Sequence, residues 1–261
     1  MSEIVTLLFP FFGVILLGYG AGYFKIVKAD QLAGLDFFVF YLALPALFIQ
    51  LIAATPLASF AGWSFIGTTT FATYCAFAIA FSIGALINGG HVPEATVQGL
   101  AGSYSNTAYL APALVIGAFG STAAVPMALI FSFDSAMLSL AAGAAAPGAL
   151  FVLGVNLALR PVARVPLEVP IIVAVKLLVH PLIVYLLLSW VGGFDPIWLQ
   201  TAVLIAALPP AANVLALAQQ YGVYGDRASA ALLFGTAISA VTVTLALLGL
   251  LHDVLPLVPF R

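Results

Sequence analysis

Long apolar runs follow one another along the whole chain, separated by short polar stretches. A membrane-spanning helix needs about 20 mainly apolar residues. Nine such runs can be read, at roughly 4–24, 33–54, 61–87, 95–119, 122–142, 146–160, 169–191, 197–221 and 228–251. Barrel strands would alternate apolar and polar positions over about ten residues. These runs are continuous, so the pattern predicts helices. The linkers hold the polar punctuation: Lys25 to Gln31, Asn88 to His91, Arg160 to Glu168, Gly192 to Asp195, and Gly222 to Arg227. Linkers this short make successive helices antiparallel neighbours.

Composition agrees. Of 261 residues, 64% are hydrophobic and 6% charged, with a mean hydropathy of +1.22. An ordinary soluble domain is about 45–50% apolar and about 25% charged. Seven Lys/Arg and nine Asp/Glu cannot cover a soluble fold of this length. A soluble enzyme, a nucleic-acid binder and a disordered chain are excluded, leaving an all-α polytopic membrane protein. Cys75 is the single cysteine and makes no intrachain disulfide. Met1-Ser2-Glu3 has no basic n-region and no small-residue cleavage site follows, so the first run is expected to span and not to be removed.

The basic residues carry topological information. Strict alternation through nine helices puts Lys25 and Lys28 on one side, and Arg160, Arg164 and Arg227 on the other. With Arg261 counted there is no bias. One more helix between residues 140 and 147 would bring all five loop charges to one face. The charges thus read like those of a ten-helix protein lacking one helix. Pro45 and Pro147 are 102 residues apart, as are Gly120 and Gly222. The order proline helix, plain helix, polar broken helix, plain helix occurs in both halves. Inverted repeats are expected, 1–142 as a first five-helix repeat and 143–261 as a second without its first helix.

Two polar, proline-bearing clusters fall at the centres of spans. Residues 103–109, Ser-Tyr-Ser-Asn-Thr-Ala-Tyr, are followed by Pro112; Leu208-Pro209-Pro210-Ala211-Ala212-Asn213 stands at the centre of 197–221. Proline removes a backbone donor and clashes with the preceding turn. Broken backbone in a bilayer survives only inside protein or beside a water-filled cavity. Each break makes two half-helices, whose N-terminal ends suit an anion. Ser105, Asn106, Thr107 and Asn213 are the candidate substrate-binding residues; Pro112, Pro209 and Pro210 set the helix crossing. Asparagine amides could donate to a carboxylate and offer a carbonyl to a cation or water. The plainer alternative is kinked helices glued by asparagine.

Asp134, in Phe131-Ser132-Phe133-Asp134-Ser135, is an intramembrane carboxylate that could carry a coupling proton or help hold a cation. Lys176 and His180 are four apart and share a helix face. Lys176 balances charge or else snorkels; His180 relays a proton, touches substrate, or is satisfied by a carbonyl. Asp36 reads as a helix-start residue, and Gly13, Gly18, Gly20 and Gly22 as close-packing positions. No enzyme signature is present: His91, His180 and His252 are scattered and form no metal site, and G-x-S-x-G, H-E-x-x-H and P-loop patterns are missing.

Residues 105–112, Ser-Asn-Thr-Ala-Tyr-Leu-Ala-Pro, resemble a motif of the auxin efflux carrier family. Residues 208–222, from Leu208-Pro209-Pro210 to Tyr221-Gly222, resemble its second crossing motif, in the wording of the bacterial malonate-transporter branch. Phe12 to Gly22 and Tyr41 to Leu47 match the branch's opening. The resemblance implies ten helices in two inverted repeats, the fourth and ninth crossing at their prolines, and secondary transport of small organic carboxylates. By position it places Asn106 and Pro112 on the first motif, and Pro209, Pro210 and Asn213 on the second. The chain departs from it by passing from Leu140 straight into Ala141 to Ala144, without the family's sixth helix.

The expectation is therefore a permease of the bacterial inner membrane carrying a small carboxylate, malonate as the first choice, by alternating access at mid-depth. H+ or Na+ is the candidate coupling ion, with no other cofactor. The lipid bilayer and a second copy in a homodimer are the expected partners. The competing readings are a non-transporting scaffold or accessory subunit, favoured by the missing helix, and an intramembrane enzyme.

Overall fold

A computed structural model of the chain describes residues 2–27, 62–142, 166, 168–220 and 222–251, together with Phe38, Leu42, Ala46 and Ile49. The expected spans 33–54 and 146–160 fall almost wholly outside the described residues, as do Asp36, Pro45, Pro147, Arg160 and Arg164. The described elements are α1 (Ser2–Tyr23), α2 (Trp63–Ile87), α3 (Val92–Ser103), α4 (Ala111–Phe119), a 3-10 turn (Ser121–Ala123) and α5 (Ala124–Ala142). They continue with α6 (Glu168–Ala174), a π-helical turn (Val175–Val179), α7 (His180–Val191), α8 (Pro196–Ala207), α9 (Ala212–Gln220) and α10 (Gly225–Leu251). Among the described residues strand-type pairing is confined to an isolated bridge between Ser105 and Pro210. The chain is an all-α polytopic membrane protein. Trp63–Ile87, Glu168–Val191 and Gly225–Leu251 are each long and apolar enough to cross a bilayer.

The rod Glu168–Val191 contains the π-helical turn for a local reason. Pro181 has no N–H to return to the preceding turn. The His180 N–H instead reaches Val175 O, five residues back. Such bulges recur at functional sites, and this one holds Lys176.

Contacts at the two ends of the bundle orient the helices. At one end Phe65 meets Phe194 and Trp198 edge-on, with ring centroids 5.8 and 4.9 Å apart. Gln200 Nε2 also donates there to Leu250 O at 3.1 Å. Leu8 and Phe12 of α1 pack into the same cluster as Phe65, Leu247 and Leu250. At the other end Arg227 pairs with Glu94 at 3.2 Å and with Glu168 at 3.0 Å, and donates to Asn88 Oδ1 at 2.7 Å. Burial first, and then the Glu168 carboxylate, hold the Tyr224 hydroxyl above the usual tyrosine range. Helix α3 therefore starts where α6 and α10 start, and α1 delivers Lys25 to that end.

This corrects strict alternation through nine spans, which would set Glu168 and Arg227 across the membrane from Glu94. An ion pair near 3 Å cannot reach across about 30 Å of hydrocarbon. Helix α5 leaves the aromatic end after α4, and its 19 residues extend about 28 Å. The chain thus leaves α5 and enters α6 on one face. Lys25 and Arg227 share that face, as the ten-helix reading of the charges expects.

Two apolar cores meet at mid-depth. The first gathers Phe65, Leu110, Leu114, Leu188, Leu204 and Leu208; the second gathers Leu100, Tyr104, Ile172, Ala211, Leu215 and Leu232. Both helix breaks lie at their boundary, since Tyr104 and Ala211 belong to one core and Leu110 and Leu208 to the other. Of the α1 glycines, Gly18 and Gly22 are buried, and a Cβ added at Gly13 or Gly20 would meet no atom within 4 Å among the described residues.

Candidate functional site

The first break separates α3 from α4. The chain leaves the helix at Tyr104, which is extended. Short polar side chains there compete with helical hydrogen bonds, and Pro112 sits in the first turn of α4, where its missing N–H is harmless. Asn106 organises the turn. Its side-chain Oδ1 accepts from Tyr109 N–H at 3.4 Å, and its carbonyl accepts from Leu110 and Ala111 N–H, both at 3.3 Å. The N–H groups of Tyr109, Leu110 and Ala111 are therefore taken by Asn106 and are not open to an anion.

The second break separates α8 from α9. Pro209 and Pro210 have no N–H, so the helix cannot continue through them. Leu208, preceding proline, is extended with φ −64° and ψ 153°. Asp195 caps the start of α8, its carboxylate accepting from Ile197 N–H at 2.8 Å.

The two breaks are joined backbone to backbone. Asn106 N–H donates to Pro209 O at 3.0 Å, and Ala211 N–H donates to Tyr104 O at 3.1 Å, with Ser105 opposite Pro210. Each break thus satisfies polar backbone of the other, which a low-dielectric interior demands. Ser105, Asn106 and Thr107 are at most 1% exposed, and Asn213 is 9% exposed. Among the described residues, Ser105 Oγ, Asn106 Nδ2 and Asn213 Oδ1 are buried without a hydrogen-bond partner. Two of these atoms can donate and two can accept.

The candidate coupling residues meet beside the crossing. Asp134, Lys176 and His180 are all buried. Lys176 Nζ donates to Ala206 O at 2.6 Å and lies 3.3 Å from His180 Nδ1. His180 Nε2 is 3.4 Å from Thr73 Oγ1. Thr73 also reaches Thr69 O at 3.2 Å and lies in hydrogen-bonding range of Asp134, which interacts electrostatically with Lys176. With Lys176 protonated, its ammonium has no lone pair, so Nδ1 would accept from it and the imidazole proton would sit on Nε2, towards Thr73. Lys176 does not snorkel, and His180 is held by Thr73 and Lys176 instead of a carbonyl. A cavity of about 10 Å³, room for about one water, is lined by Thr69, Thr73, Ser105, Asp134, His180 and Ala206, among others. Ser105 links it to the crossing.

A protein-family profile described as "Membrane transport protein" matches residues 3–132 and 111–247, stretches that include both breaks. The chain belongs to this membrane transport protein family. A Rhizobium meliloti (strain 1021) protein named "Putative malonate transporter" is 40% identical over 311 aligned positions, which cover 97% of this chain and 96% of that protein. The resemblance to auxin efflux carriers read from the two crossing motifs is thereby borne out. The alignment is longer than the 261-residue chain, so part of that relative has no counterpart here.

Within this transport-family framework, three residues near the crossing were missed by sequence reasoning. Thr69 and Thr73, four apart on α2, face the buried cluster; that spacing was the available signal. Gly235 of α10 lies against the Pro210 ring, where a Cβ would come within 2.7 Å of Cδ. A glycine inside a long apolar run was its only mark. Among the described residues no group of three or more His, Cys, Asp or Glu could hold a metal ion.

Proposed function

We propose that the chain is a secondary carrier of small organic carboxylates, malonate first among them, working by alternating access at the crossing of the two broken helices. One observation supports this above the rest. Ser105 Oγ, Asn106 Nδ2 and Asn213 Oδ1 are buried at the crossing without partners among the described residues, although burying such groups costs several kcal/mol in hydrocarbon. A carboxylate would take the Asn106 amide and the Ser105 hydroxyl; Asn213 Oδ1 would face a substrate hydroxyl, a protonated carboxyl or a bound water. The name of the Rhizobium relative agrees with a malonate substrate. The carrier sits in the bacterial inner membrane, with H+ and Na+ as the candidate coupling ions, and performs no covalent chemistry; a homodimer is its expected assembly.

Uptake of radiolabelled malonate into proteoliposomes, competed by unlabelled carboxylates, tests the reading. Asn106→Ala and Asn213→Ala should abolish uptake and leave membrane insertion intact. Asn106→Asp is the sharper variant, because it keeps the acceptor for Tyr109 N–H, loses the amide donor, and adds a charge that repels a carboxylate. Near-normal uptake in these three variants would refute the site. A non-transporting scaffold is the second reading, favoured by the residues present in the relative and missing here. Verified folded protein without uptake of any carboxylate, co-purifying with a stoichiometric partner, would establish it.

A further inference from the structure

The prolines that break α8 also orphan a carbonyl. In a continuous helix Ala206 O would accept from the N–H of residue 210. That residue is Pro210 and has none to give. The Lys176 ammonium supplies the missing donor at 2.6 Å, from a side chain with 0% exposure. It stands at the C-terminal end of α8, the negative end of that half-helix dipole. Unwound carbonyls and half-helix C-termini are where broken-helix transporters coordinate Na+.

We propose that the Lys176 ammonium is a tethered cation occupying, at the end of α8, the position a coupling metal ion would take, so that carboxylate transport by this chain requires no Na+. This rests on the carrier reading above. The groups around Lys176 complete the local balance. Asp134 on α5 supplies one negative charge and interacts with it electrostatically. His180 on α7 receives a hydrogen bond through Nδ1. Thr73 on α2 and Ser105 at the crossing line the adjoining cavity together with Asp134 and His180, and the Tyr104 hydroxyl, just past α3, interacts electrostatically with Asp134 and bonds Ser135 at 3.3 Å. Among the described residues Asp134 is the acidic side chain facing this ammonium. A bound monovalent metal ion would set a second positive charge beside the first, against a single carboxylate. Lys176 reaches α8 from within the π-helical turn that precedes Pro181.

The test compares malonate uptake in proteoliposomes with Na+ replaced by choline. Wild-type uptake should be unchanged within about twofold. Lys176→Ala should lower uptake in choline at least about tenfold, with partial recovery when Na+, Li+ or methylammonium is supplied. Lys176→Gln keeps a donor for Ala206 O without the charge and should behave like Lys176→Ala. Wild-type uptake that depends on Na+ would overturn the tethered cation and leave the carrier intact. So would full activity of Lys176→Gln in choline. Should folded wild-type protein transport no carboxylate, the carrier reading fails instead, and thermal unfolding then decides. Stabilisation of Lys176→Gln by Na+ or methylammonium, absent in wild type, would support the cation position, and equal curves for the two proteins would overturn it.

Discussion

The crossing rests on the backbone of α10, and Gly235→Ala tests whether its geometry matters. The new Cβ would lie 2.7 Å from Pro210 Cδ, 3.3 Å from Cγ and 4.0 Å from Val173 Cγ2. Carbon atoms pack at about 3.5–4.0 Å, so the Pro210 ring must retreat by about 1 Å. That ring is part of the backbone and cannot rotate away. Its neighbours Pro209 and Ala211 make the bonds to Asn106 and Tyr104, at 3.0 and 3.1 Å. A retreat of about 1 Å strains both, since N–H···O bonds hold only to about 3.2 Å. Overpacking costs about 1–3 kcal/mol, while replacing glycine in a helix interior returns about 1 kcal/mol. Net stability should therefore fall by only about 0–2 kcal/mol. Uptake should fall much further, because a misplacement of about 1 Å can cost about 100-fold. Reconstituted malonate uptake and thermal unfolding in detergent would be measured on the same preparation. Gly20→Ala is the control, since a Cβ added there meets no atom within 4 Å among the described residues. Wild-type uptake by Gly235→Ala, with an unchanged unfolding temperature, would sink the argument that α10 positions the break.

Three further outcomes are expected. Arg227→Ala removes the cation beside the buried Glu168 and should destabilise the protein by about 1–3 kcal/mol, discounted because the Arg227 side chain is 35% exposed; a loss not partly recovered by Glu168→Gln in the same background would count against the pair. Asp195→Ala should cost about 1 kcal/mol through the lost cap of α8, with Asp195→Asn near wild type, as read by unfolding midpoints; equal losses in the two variants would mean that charge and not capping matters. In a Cys75→Ser background, His91→Cys and Asp226→Cys should label from one side of a sealed vesicle and Ser121→Cys from the other. Labelling of His91→Cys and Asp226→Cys from opposite sides would contradict the orientation set by the Arg227 contacts.

Helix positions were legible because length and continuity of apolar runs are what a bilayer selects. The described helices follow the expected spans closely, and both breaks occur where proline and polar residues coincide at mid-span. These are local properties, since a missing N–H or an apolar stretch is settled by residue type and spacing alone. Candidate status for Ser105, Asn106 and Asn213 was legible for the same reason: polar side chains at mid-depth are costly wherever they pack. The resemblance to auxin efflux carriers rested on those two segments together with the opening stretches Phe12 to Gly22 and Tyr41 to Leu47.

The tertiary structure decided what the candidates touch. Residue type could not reveal that Asn106 directs its carbonyl and side-chain oxygen to the start of α4 and keeps only its amide unpartnered. Nor could spacing along one helix show that Lys176 turns to Ala206, since the need for its charge arises from prolines more than thirty residues away. The shared face of Glu94, Glu168 and Arg227 likewise belongs to three separate helices. The charge pattern hinted at it, and the ion pairs supply the distances. Hydrophobicity is a sum over neighbours in the chain, so it can be read from sequence. Polar satisfaction pairs residues distant in the chain, so only the packed bundle assigns the partners.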